Sequence, residues 1–87
     1  MEIRKNAAAG TLESSDVFIC VEPYGQLSVQ IQSVVQEQYM EAVSNTVFQV
    51  LEEFEVKSGK IQVNDRGALD CVIRARMETA IRRGGSR

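Results

Sequence analysis

The 87-residue chain has no histidine, no tryptophan, one proline and two cysteines. Histidine is the one side chain whose ordinary pKa lies near neutrality, and it is also the commonest general base and metal ligand. Its absence removes most hydrolytic triads and zinc-catalysed schemes. The chain is therefore not expected to be an enzyme by itself, nor to bind a metal. Cys20 and Cys71 form neither a disulfide framework nor a metal-binding spacing, and they read as small apolar side chains in a reducing cytoplasm. No apolar run approaches the roughly 18–20 residues of a membrane span. The opening MEIRKNAAAG carries charge without an apolar core, so it does not read as a signal peptide. A cytoplasmic chain with no membrane contact is the expectation.

What is present fits one small folded unit. Apolar residues make up 44% and charged residues 25%, an ordinary globular mix. A chain of this length buries only about 60% of its unfolded surface, which leaves little room for a deep cleft. The net charge of −2 conceals a division. Residues 1–56 hold two cations against nine acids, and residues 57–87 hold eight cations against three acids. All five aromatics (Phe18, Tyr24, Tyr39, Phe48, Phe54) lie in the acidic part. Nucleic-acid surfaces combine cations with aromatic platforms, so no nucleic-acid partner is expected.

The hydrophobic period changes several times along the chain. Val17, Ile19 and Val21 alternate with Phe18 and Cys20, a β-branched run that reads as a strand with apolar side chains on both faces. Glu22-Pro23-Tyr24-Gly25 supplies a turn. Leu27, Val29 and Ile31 then alternate strictly with Ser28, Gln30 and Gln32, predicting a half-buried antiparallel strand. From about Gln36, Tyr39, Met40, Val43, Val47, Val50, Leu51 and Phe54 mark one face of a long helix. Ile61-Gln62-Val63-Asn64 is a short strand. Leu69, Val72, Ile73, Met77, Ala80 and Ile81 form the stripe of a second helix, with Asp65 or Asn64 as a candidate cap. The arginines near its end suit the negative pole of its dipole.

Ala7–Leu12 and Asp16–Glu22 read as a hairpin with Ser14 and Ser15 at its tip. The order is then β-β-β-α-β-α. Two amphipathic helices would cover one face of a mainly antiparallel four-stranded sheet, an α+β two-layer sandwich. Phe18 and Cys20 would project from the other face. Arg82 onwards, with Gly84 and Gly85, should fray.

Chemistry-bearing motifs are few. There is no P-loop and no dinucleotide fingerprint. Glu52, Glu53 and Glu55 near a helix end read as solvated surface. Ser14–Ser15, between Glu13 and Asp16, is the distinctive polar spot. A serine nucleophile needs an adjacent base, which the chain lacks. A hydroxyl on an exposed turn is instead open to modification by another enzyme, although serine and aspartate also favour plain turns.

Two blocks carry a resemblance that covers nearly the whole chain. Ala9-Gly10-Thr11-Leu12-Glu13-Ser14-Ser15-Asp16, with Val17 and Val21-Glu22-Pro23, resembles the acyl carrier (gamma) subunits of citrate lyase. Asp65-Arg66-Gly67-Ala68-Leu69-Asp70-Cys71, with Ile73-Arg74-Ala75-Arg76, is similar to the same family. The resemblance implies a single acyl-carrier domain over residues 1–83 and a flexible tail over 84–87. In the family the serine of Leu-Glu-Ser bears the prosthetic group, which maps onto Ser14. Some relatives have glycine where this chain has Ser15, a less favoured second attachment point.

The implied group is 2'-(5''-phosphoribosyl)-3'-dephospho-CoA, joined through a phosphodiester and installed by a prosthetic-group transferase. The reactive thiol then belongs to the cofactor. An alpha subunit (acyl transferase) would exchange acetyl for citryl, and a beta subunit (citryl lyase) would release oxaloacetate and restore the acetyl carrier. Because Glu13 and Asp16 would repel a phosphodiester held against the surface, the arm is expected to make few fixed contacts. Phe18 and the arginines of the last helix are candidate docking groups. The alternatives are the carrier of a related malonate decarboxylase and an unmodified small α+β binding or regulatory module.

Overall fold

The structure, a computed structural model, describes residues 1–85. Strands β1 (Ala7–Gly10), β2 (Val17–Glu22) and β3 (Leu27–Ser33) precede helix α1 (Glu37–Glu53), strand β4 (Gly59–Asp65) and helix α2 (Asp70–Gly85). This is the expected β-β-β-α-β-α order. The strands form one sheet in the order β1-β2-β4-β3. β2 pairs antiparallel with both β1 and β4.

β3 corrects the sequence expectation. It pairs parallel with β4, Leu27 opposite Gly59 and Ser33 opposite Asp65, so the sheet is mixed. The chain leaves β3, crosses as α1 and returns beside it as β4, a connection that joins parallel neighbours. Alternation of apolar and polar residues identified the strand but held no information about its direction or its place at the sheet edge.

The core lies between one face of the sheet and the two helices. Val17, Ile19 and Val21 from β2 meet Ile61 and Val63 from β4, all buried. β1 adds Ala9, and β3 adds the half-buried Val29 and Ile31. Val43, Val47, Val50 and Leu51 of α1 and Ile73, Met77, Ala80 and Ile81 of α2 close the cluster. Tyr39 and Leu69, expected on the buried stripes, are 56% and 72% exposed. Tyr39 lies in the first turn of α1, and Leu69 precedes α2, its carbonyl accepting the amides of Val72 and Ile73.

Asp65 does not cap α2. Its fully buried carboxylate accepts the Ser33 hydroxyl at 2.7 Å and the Ala68 amide at 2.9 Å. It thereby ties the end of β3 to the turn that enters the helix.

The N-terminal residues, without an assignment from the sequence, belong to the domain. Ile3 is buried, and the amides of Arg4 and Lys5 both donate to the Gly84 carbonyl, at 2.8 and 3.1 Å. A Cβ on Gly84 would come within 2.5 Å of Val21 Cγ2, so glycine lets the end of α2 press onto the sheet. Gly84 and Gly85, placed in a loose tail by the sequence reading, are helical, and Gly84 is buried. Ser86 and Arg87 of that tail lie outside the described residues.

Candidate functional site

The hairpin between β1 and β2 closes on Gly10. This residue has φ +91°, and a Cβ there would stand 1.8 Å from the Val17 carbonyl oxygen. Only glycine allows the two strands to meet this way. Beyond it, Glu13-Ser14-Ser15-Asp16 forms a four-residue turn in which the Asp16 amide donates to the Glu13 carbonyl at 3.1 Å. Ser14 is the second residue of that turn and Ser15 the third, with φ +67°. A left-handed third residue is the mark of a type II turn, a position that ordinarily calls for glycine or asparagine.

The tip is anchored to the loop before α2. The Ser15 amide donates to the Arg66 carbonyl at 2.8 Å, and the Arg66 amide donates to the Asp16 carbonyl at 2.9 Å. Two residues of the hairpin therefore face one on the opposing strand, a bulge whose first residue is left-handed. Ser14 itself is exposed. Its hydroxyl makes no hydrogen bond among the described residues, and neither does that of Ser15.

The Asp16 carboxylate is held from several sides. Arg76 of α2 donates Nε and Nη2 to its two carboxylate oxygens, at 3.2 and 2.9 Å. The Thr11 hydroxyl (2.7 Å) and the Val17 amide (2.7 Å) complete its partners. Arg76, then Thr11, then Val17 hold the carboxyl down to about 2, from an ordinary 3.8. Its negative charge is met within the domain, so of the two flanking acids only Glu13 stands unopposed. The expected repulsion of a phosphodiester is therefore weaker than the sequence alone suggested. Arg76 was legible only as one of several helix arginines, because its partner lies 60 residues away.

The other arginines of α2 are fasteners as well. Arg74 Nη2 reaches Glu53 at 2.6 Å, joining α2 to α1. Arg83 Nη1 donates to the Ala8 carbonyl at 2.8 Å, joining α2 to β1. Arg82 lies by Glu78 and over the ring of Phe54. Glu53 is accordingly more than solvated surface.

On the sheet face away from the helices, Leu12, Phe18 and Cys20 line a shallow hollow of about 380 Å3, with glutamine and asparagine side chains of β3 and β4. Phe18 and Cys20 are half-buried there, as their projection from the outer face predicts. Cys71 is exposed, and both thiols are free. Among the described residues no group of three or more Cys, Asp or Glu could hold a metal ion, and no helix is long and apolar enough to cross a membrane.

The fit to a phosphodiester-linked group rests on these features. An unengaged hydroxyl stands at the corner of a fixed turn, with one acid beside it neutralised and the Arg66 backbone held alongside.

Comparison with known proteins agrees with this architecture. Residues 4–84 match the acyl carrier family described as malonate decarboxylase delta subunit (MdcD). The citrate lyase acyl carrier protein of Haemophilus ducreyi is 49% identical over 83 residues, covering 95% of this chain and 87% of that one. That of Treponema denticola is 41% identical over 87 residues, covering both chains in full. Among solved structures, a chain of a Pseudomonas malonate decarboxylase hetero-tetramer in complex with malonate superimposes with a TM-score of 0.79 at 29% identity. That match covers 95% of this chain and 87% of the other. Citrate lyase acyl carriers are carrier subunits rather than catalysts. From these matches, together with the fold, the chain belongs to the family of citrate lyase acyl carrier proteins.

Proposed function

We propose that this chain carries acetyl and citryl groups for citrate lyase on 2'-(5''-phosphoribosyl)-3'-dephospho-CoA, linked through a phosphodiester to Ser14. The observation that carries the proposal is the exposed, unbonded Ser14 hydroxyl at the corner of a turn whose neighbours are all tied down. When bound, the group supplies the thiol for thioester chemistry, so neither Cys20 nor Cys71 is needed for it.

The chain's own residues do the presenting. Gly10 closes the hairpin, Ser15 adopts the left-handed turn position, and the Arg66 backbone holds both sides of the bulge. Asp16 pairs with Arg76 and so fixes the tip to α2. Ser14 is thus held at one orientation relative to the domain, which raises the effective concentration of whatever it bears at a docked partner's site. The partners of this reading are the alpha and beta subunits and a prosthetic-group transferase, in the cytoplasm.

A second reading, the carrier of a malonate decarboxylase, is supported by the family match and by the TM-score of 0.79. The citrate lyase carriers have the higher identities, 41–49% against 29%, so citrate lyase is preferred.

Intact-mass measurement on protein purified from its native host tests the carrier reading, with peptide mapping to locate the group. Added mass on the Ser14 peptide, abolished by Ser14→Ala, is expected. The mass of the bare chain, with the modifying enzymes present, would refute it and favour an unmodified binding module. Exchange assays with acetyl, citryl and malonyl donors then separate the two carriers.

A further inference from the structure

We propose that Arg66 is the cationic seat of the phosphodiester on Ser14, an anchor for the root of the arm within the carrier domain itself. The inference rests on the attachment of the group at Ser14 and deepens that reading.

Three observations converge on Arg66. First, its backbone is clamped from both directions, the Ser15 amide donating to its carbonyl and its own amide donating to Asp16. The Ser15 nitrogen is two covalent bonds from the Ser14 Cα, so Ser14 and Arg66 are neighbours across this bridge. Second, the Arg66 side chain is exposed and makes no hydrogen bond or ion pair among the described residues. Arg76, the other cation that reaches the tip, is already committed to Asp16. Third, Arg66 directly follows β4, and where the last residue of that strand, Asp65, is fully buried, Arg66 itself is exposed.

A guanidinium offers a planar fork of donors matched to two phosphate oxygens and remains charged at any working pH. Arg66 would meet the single negative charge of the diester, while Glu13 on the far side of the serine discourages contact there. The root of the arm is held and the remainder stays solvated. The expectation of an arm with few fixed contacts is thereby narrowed to one contact at its base.

The test uses arginine-selective 15N NMR on the full chain in its apo and modified forms. Arg66→Lys assigns the Arg66 Nε–Hε signal by its disappearance, and intact mass establishes that modification is complete. The expected result is a downfield move of the Arg66 Hε signal in the modified protein, with little change at Arg76. That move should diminish as salt is raised to about 1 M, where the screening length falls to roughly 3 Å. The 31P signal of the diester should also differ between the modified wild type and modified Arg66→Gln, and Arg66→Lys should restore most of the difference. A fully modified Ser14 beside an unmoved Arg66 signal overturns the anchor while leaving the carrier reading intact. Absence of any group on Ser14 overturns both.

Discussion

Replacing Ser15 with glycine should make the protein more stable, although it removes a side chain. Ser15 has φ +67°, a conformation that costs an L-residue roughly 1–2 kcal/mol. Glycine lifts that cost but gives the unfolded chain more freedom, an offset of about 0.5–1 kcal/mol. The serine hydroxyl makes no hydrogen bond among the described residues, so no contact is lost. The balance is a gain of roughly 0.5–1 kcal/mol, or about 2–8 °C in Tm for a domain of this size. Urea unfolding followed by circular dichroism should show a higher midpoint at unchanged slope. Ser15→Val, β-branched and thus worse in the left-handed region, should lower it. A Ser15→Gly midpoint at or below that of the wild type would refute the assignment of strain to this turn.

Two further outcomes follow from the carboxylates that frame the tip. Asp65→Ala leaves the half-buried Ser33 hydroxyl and Ala68 amide without their shared, fully buried acceptor. It should cost roughly 2–4 kcal/mol, read by the same denaturation. Asp16, held at about 2 rather than 3.8, stabilises the fold while ionised. Its contribution is complete above about pH 4 and is lost as pH falls towards 2. Asp16→Asn should flatten the stability profile across that window, measured by thermal unfolding at stepped pH.

The sequence disclosed faces more readily than partners. Strict alternation at Val17, Ile19 and Val21 placed β2 correctly, because a period of two states which side chains share a side. The same pattern at Leu27–Gln32 could not show that β3 runs parallel to β4, since direction depends on where α1 delivers the chain. Helical periodicity located the core-facing turns of α1 and α2 but overran at Tyr39 and Leu69, because it does not report where the sheet stops covering the helix. Ile3 escaped notice because a lone apolar residue among charges has no period at all. At the site, Ser14 was named by its motif and the hairpin by turn chemistry. The clamps from Arg66 and Arg76 join residues far apart in the chain, and local pattern holds no trace of such pairings.

The bulge that locks Ser15 to Arg66 has a geometric consequence for a tethered carrier. With the arm proposed above on Ser14, a stiff root would make that serine a pivot rather than a loose knot, and the far end of the arm would sweep a cap of a sphere centred on the turn. The outer radius of that cap is the length of the arm alone. Two catalytic centres served from one docked position must then lie no further apart than the diameter of the cap. If they are further apart, the whole domain, 35 Å along its longest axis, has to rock or re-dock between visits. The separation of the partners' active sites would therefore reveal whether the swing belongs to the arm or to the protein.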